Sequence, residues 1–275
     1  MAGALGSWLG PRAVATCLAA LGAGLVLGCG KANPTLGGGS SAASTGTTPP
    51  GGHSTPPAGG GAPGGEGHAL SQRRADAFAS AVNLRVADVP GFAPSGETNG
   101  GELAPDKPLE RRLARCAGAL GGDRGGPDER SSPEFARAHN ALGERVSSTV
   151  SFLRSEAKVP AELSALRSEH TRTCLSSYLQ GLLGGRHFGG ARIARVTIVQ
   201  GTPPARGSSG GFGWRVTAVA AAGRLTVPFY LDILGFVYRR AEVTLLSSGA
   251  VIPFPAAVEE RLYQLLLSRA TAHKL

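Results

Sequence analysis

No run of this sequence is long and apolar enough to cross a bilayer as a helix. The longest, Ala13 to Gly28, is about sixteen residues against the ~20 that spanning needs, and Gly22, Gly24 and Gly28 interrupt it. Lysine is scarce: Lys31, Lys107, Lys158 and Lys274 are the only ones, so arginine carries most of the formal charge of +9. No stretch of five basic residues occurs, and neither zinc-finger spacing nor an aromatic RNA-binding motif is present. Those absences argue against nucleic acid as a partner. No HxxxH or HExxH pair occurs, and no Ser/His/Asp set can be chosen from spacing. The expectation is therefore no metal, no cofactor and no enzymatic activity.

What is present starts with an export signal. Residues 1–28 carry Arg12 as their only charge ahead of the apolar run. The +9 less Arg12 leaves +8 on the processed chain. A retained signal anchor is the alternative. Cys29 follows Val26-Leu27-Gly28, which resembles the lipobox of bacterial lipoproteins, with Leu27 bulkier than the residue usual at its place. The resemblance implies a diacylglycerol group on the Cys29 thiol, cleavage before Cys29, and acylation of the new amino terminus by a fatty acid such as palmitate. The residues suit that chemistry: Gly28 lets a peptidase approach the bond, and a thiol is a competent nucleophile. Two buried chains anchor stably where one is marginal. The expected location is extracytoplasmic, attached to the bacterial cell membrane by the lipid on Cys29.

Residues 29–68 are Gly, Ser, Thr, Pro and Ala with almost no large apolar side chain, so they cannot offset the entropy of ordering. They read as a tether of about forty residues with an r.m.s. reach of ~35 Å. Cys17 leaves with the signal. Cys116 and Cys174 remain, an even pair in an exported domain, and a disulfide is the favoured reading. It closes a loop of ~58 residues, worth about 4 kcal/mol in the chain-entropy model. The competing reading is a catalytic Cys174 activated by His170, four positions earlier on the same predicted helix. In an oxidising compartment, however, the second cysteine captures the first.

The folded domain is expected over 69–275. Helical spacing covers "ALSQRRADAFASAVNL" from Ala69, and Pro90-Gly91 breaks the chain after it. A second helix is predicted across "KPLERRLARCAGAL", from Lys107 to Leu120. "ERVSSTVSFL" (Glu144 to Leu153) reads as a strand, and Pro160 opens one long helix ending at Gly184-Gly185. "ARIARVTIVQ" (Ala191 to Gln200) is a strand. "WRVTAVAAAGRLTVPFYLDI" reads as a hairpin turning near Ala222-Gly223. Pro228 argues for an edge strand or bulge, and Gly235 for a turn into the next strand. Pro255 opens a terminal helix with Glu259 and Glu260 in its first turn, where they favour the helix dipole. The fold class expected is α+β: an antiparallel sheet of about four to six strands with helices packed on one face.

The lipobox, the low-complexity tether, the "ADVPGF" segment (Ala87 to Phe92), one helix-borne cysteine in each half and the strand–strand–helix ending resemble uncharacterised actinobacterial envelope lipoproteins. They also resemble the extracellular sensor domain of mycobacterial-type Ser/Thr kinases. That domain carries two disulfides where this sequence can supply one. The resemblance implies a membrane-anchored, non-catalytic binding or sensing domain.

Candidate ligand contacts are His187, set among glycines, with Trp214, Tyr230 and Asp232. Asp232 either lines a pocket or pairs with Arg224 or Arg240. The glycine-rich "GGFGWR" (Gly210 to Arg215) precedes a strand, whereas a phosphate loop needs a helix after it. Trp214, Phe212, Phe229, Tyr230 and Phe236 read as sheet core, or as the lining of an apolar cleft for a small apolar ligand. The alternative functions are an envelope scaffold that uses its arginines on an anionic wall polymer or a protein partner, and an envelope hydrolase with a buried acid–base cluster.

Overall fold

The Ser71 hydroxyl accepts the Arg74 N–H and starts the first helix, α1 (Gln72–Val82). Its Ala75, Phe78, Ala79 and Val82 recur at helical spacing and are buried. The computed structural model describes residues 70–95, 129–137, 143–184, 187–188, 191–222 and 224–275. The signal, the tether, Cys29, Cys116 and the helix expected over 107–120 lie outside the described residues. No described helix is long and apolar enough to cross a membrane.

After α1 come β1 (Ala93–Pro94), β2 (Arg130–Ser131), β3 (Phe135–Arg137) and β4 (Glu144–Phe152). Helices α2 (Val159–Leu166) and α3 (Glu169–Gly184) follow, then β5 (His187–Phe188), β6 (Ala191–Gly201), β7 (Gly210–Ala222), β8 (Leu225–Tyr238), β9 (Ala241–Ala250) and α4 (Ala256–Ala272). The long helix expected from Pro160 is two helices. The Ser168 hydroxyl accepts the Thr171 N–H and donates to Ala165 O, capping a new helix where the old one stops.

The strands form one antiparallel sheet in the order β1-β3-β4-β9-β8-β7-β6-β5, with β2 paired to β4 off this path. The fold class is α+β. The sheet is larger than the four to six strands expected, because β1, β2, β3 and β5 are too short to show a period-two pattern.

Helices also cover both faces rather than one. The registers Trp214↔Ile233 and Ile233↔Leu246 align one face, onto which α2 and α3 bring Leu163, Leu166, Leu175 and Leu179. The registers Phe236↔Val243 and Val150↔Val243 align the other, which α1 and α4 cover with Phe78, Leu262 and Leu266. Strand β9 is buried at every position, so its apolar residues have no reason to alternate.

Two glycine and proline positions differ from expectation. Strand β8 continues through Gly235 and turns at Arg239-Arg240 instead. A Cβ at Gly235 would stand 2.2 Å from Cζ of Phe212, so the glycine makes room for that ring. Gly235→Ala is expected to lower stability by about 1–3 kcal/mol through overpacking, read as a lower urea midpoint. An unchanged midpoint would mean the Phe212 ring is free to move. Pro228 sits in an interior strand without losing a ladder bond. It lies just past the last β8–β9 pair, Phe229↔Ala250, and its carbonyl accepts the Val251 N–H on that side.

The "ADVPGF" segment is a clamp. Asp88 accepts from both Nη atoms of Arg269 at 2.7 Å, tying the turn to the end of α4. Burial pushes the Asp88 carboxyl up, but bonds from Arg269 and the Arg85 N–H outweigh it and leave the pKa lowered.

Candidate functional site

Three polar side chains stand in a row across the middle of the sheet. Strand pairing sets Arg215 of β7 opposite Asp232 of β8, and Asp232 opposite Ser247 of β9, all on the α1/α4 face. Arg215 grips Asp232 with two bonds, Nε to Oδ1 at 2.6 Å and Nη2 to Oδ2 at 2.9 Å. The carboxylate is nearly inaccessible at 4%, whereas the arginine side chain keeps 43% of its surface in solvent. The Asp232 bond holds the Arg215 pKa above its ordinary value.

Helix α4 lowers Glu259 onto this row. Its buried stripe runs Glu259, Leu262, Tyr263, Leu266, Leu267 and Ala270, so helical spacing carries the carboxyl inward with the leucines. The Ser247 hydroxyl donates to Glu259 Oε1. Burial pushes Glu259 up to about 7, and the charge of Asp232 adds to the rise; Ser247 and Arg215 oppose it.

An open cleft of about 390 Å³ lies over these groups, walled by Val199, Gly201, Pro203 and Leu234 as well as Arg215, Asp232 and Glu259. It offers a solvent-facing guanidinium and a carboxyl poised near neutrality beside an apolar wall. A molecule with an apolar body and a polar end meets complementary groups there. A larger groove, about 760 Å³, runs along α2 between Val159, Leu163, Arg167 and Arg239, without a buried carboxyl.

Of the sequence candidates, Asp232 lines the cleft, and its partner is Arg215 rather than Arg224 or Arg240. Trp214 borders the cleft, but its indole faces the opposite core, 5.3 Å from the Phe212 ring. Tyr230 shares the Asp232 face two residues earlier, outside the cleft wall. His187 pairs with Arg192 at the far end of β6 from Val199, and its side chain lies outside the described residues. Of the aromatics, Phe212 and Phe229 belong to one core and Phe236 to the other.

Arg215, Ser247 and Glu259 are the contributors that sequence reading missed. Two short serine patterns also occur, Gly207-Ser208-Ser209-Gly210-Gly211 and Ser155 with Lys158. The first enters a strand from a loop, not the strand–turn–helix of a nucleophile elbow, and the second lies in a single 3₁₀ turn. Cys174 is buried on α3 and is disulfide-bonded, its partner lying outside the described residues. Among the described residues, no cluster of three metal-ligating side chains forms.

Compared with known proteins, the chain matches no family model and no curated protein. The site must therefore be read from its own residues.

Proposed function

We propose that this chain is an extracytoplasmic lipoprotein, anchored through Cys29, whose α+β domain binds a small ligand in the Arg215–Asp232–Glu259 cleft without transforming it. The cleft itself carries the binding half of this reading. Arg215 is fixed by a buried carboxylate yet still faces solvent, an arrangement suited to holding a ligand's polar end. The apolar body of the ligand lies against Val199, Pro203 and Leu234. The lipobox, the tether and the resemblance to envelope lipoproteins and kinase sensor domains support the anchoring half.

A second reading has a specific observation behind it. A buried glutamic acid raised to about 7 beside a second carboxyl gripped by an arginine is how acid–base enzymes divide two carboxyls between roles. We favour binding because both Asp232 oxygens are already occupied by Arg215.

The test is the native mass of the protein extracted from its own membrane. Cleavage before Cys29, a diacylglyceryl increment, two missing disulfide protons and a retained small molecule are expected. Val199 is 66% exposed, so Val199→Trp should close the cleft without disturbing the core and release that molecule. An unlipidated full-length mass would sink the anchor, and a lipidated protein that never retains a ligand would sink the binding site. Chemical conversion of the retained molecule on incubation would favour the enzyme.

A further inference from the structure

Helix α1 runs against β4 in a way that fixes where the chain enters the domain. The Leu84 N–H, just past its end, donates to Ser148 Oγ at 2.8 Å, and the Phe78 ring lies 6.2 Å from that of Phe152. The start of α1 therefore lies beyond the end of β4, beside the turn at Arg239-Arg240. The Phe78 ring stacks on Tyr238, the residue before that turn, at 6.3 Å. Helix α4 ends at the same pole, where Arg239 Nη1 donates to Leu275 O at 3.4 Å.

This pole is basic. Arg74 of α1, Arg154, Lys158, Arg167 and Arg239 are exposed there, and Arg240 is half-buried with Nη1 donating to Arg154 O at 3.2 Å. Glu156 is an acidic side chain set among them. Burial holds the Arg240 pKa down; the charge of Glu156 opposes that, and the like charge of Arg74 adds a smaller push downward. Neither Arg239 nor Arg240 pairs with a side-chain carboxylate among the described residues.

We infer that this pole, formed by the start of α1, the 153–158 turn, the β8–β9 turn and the end of α4, docks on a surface of anionic phospholipid headgroups. The proposal rests on the Cys29 anchor reading. Two features favour a membrane over a soluble polymer. The described chain enters the domain at the basic pole, so on the anchor reading that pole is the part of the domain joined most directly to the lipid on Cys29. The cleft lies toward the other end of α4, with Glu259 about 20 Å from the helix end, so docking leaves it open to the outside. The tether alone leaves the orientation free; the arginines select one.

The test uses the full chain carrying Cys29→Ser, co-sedimented with phosphatidylcholine vesicles with and without phosphatidylglycerol. The expected result is binding to the anionic vesicles that weakens as salt rises through the physiological range. An apolar leader would bind both vesicles alike, so the difference reads the pole. Arg74→Glu with Arg239→Glu should reduce that difference about tenfold or more. Arg192→Glu with Arg195→Glu, the same charge change on exposed β6 positions, should leave most of it. Equal binding to both vesicles, or equal losses in the two double variants, overturns the proposal. So does binding to dextran sulfate without binding to vesicles, which would assign the pole to polymer. Failure of the anchor reading looks different: the unsubstituted chain would wash off its own membrane in high salt.

Discussion

Glu259→Gln is expected to stabilise the domain by about 3 kcal/mol at pH 8 and to leave it unchanged at pH 4. The sign follows from where the proton sits. The carboxyl titrates near 4.5 when unfolded and at about 7 in the fold. Below 4.5 both states hold the proton and burial costs nothing extra. Between the two values the unfolded chain ionises while the fold keeps its proton, so stability falls as pH rises. Above 7 the buried charge is present and the loss is complete, about 3 kcal/mol at 1.36 per pH unit. Glutamine keeps the Ser247 hydrogen bond and cannot ionise. For a domain of this size the gain corresponds to roughly 5–10 °C in Tm at pH 8. Melting curves of the two proteins across pH 4 to 8 provide the measurement. Parallel curves would show that Glu259 is not held protonated.

Cys174→Ser is the second large effect, and it acts on the unfolded chain. The sulfur is buried on α3 in the core with Leu175 and Leu179. If the bridge runs to Cys116, its loss frees a loop of ~58 residues and costs about 4 kcal/mol. Cys116→Ser should then cost the same, and the double variant no more than either. A double variant twice as unstable would mean that the two cysteines are not partners. Urea unfolding of the oxidised and reduced protein brackets the same quantity without any substitution.

The alternation that marks β8 was legible, and with it Asp232 as a polar residue on an apolar strand. Its partner was legible in principle. A turn between Ala222 and Leu225 makes paired residue numbers sum to 447, which sets Arg215 opposite Asp232. Arg224 stands in that turn, and Arg240 in the next, so neither could reach. From sequence, Glu259 beside Glu260 is a helix-start charge, yet only Glu259 lies three and four residues before Leu262 and Tyr263 on the buried stripe. The second layer of helices was hidden for a different reason. Phe229, Leu231 and Ile233 show one apolar face of β8, while Leu234 and Phe236 belong to the other, and the two together blur the period. The short strands carry too few residues to register any period at all.

The two middle strands serve both cores at once. A side chain on β8 or β9 touches one layer of helices, and its immediate neighbour touches the other. Losing the β8–β9 pairing would therefore disturb both cores at once. Two members of the polar row, Asp232 and Ser247, stand on that shared pair of strands, and Arg215 is held to them from β7. A ligand bound there would rest on a floor that belongs to both cores, so the cost of deforming that floor is shared between them.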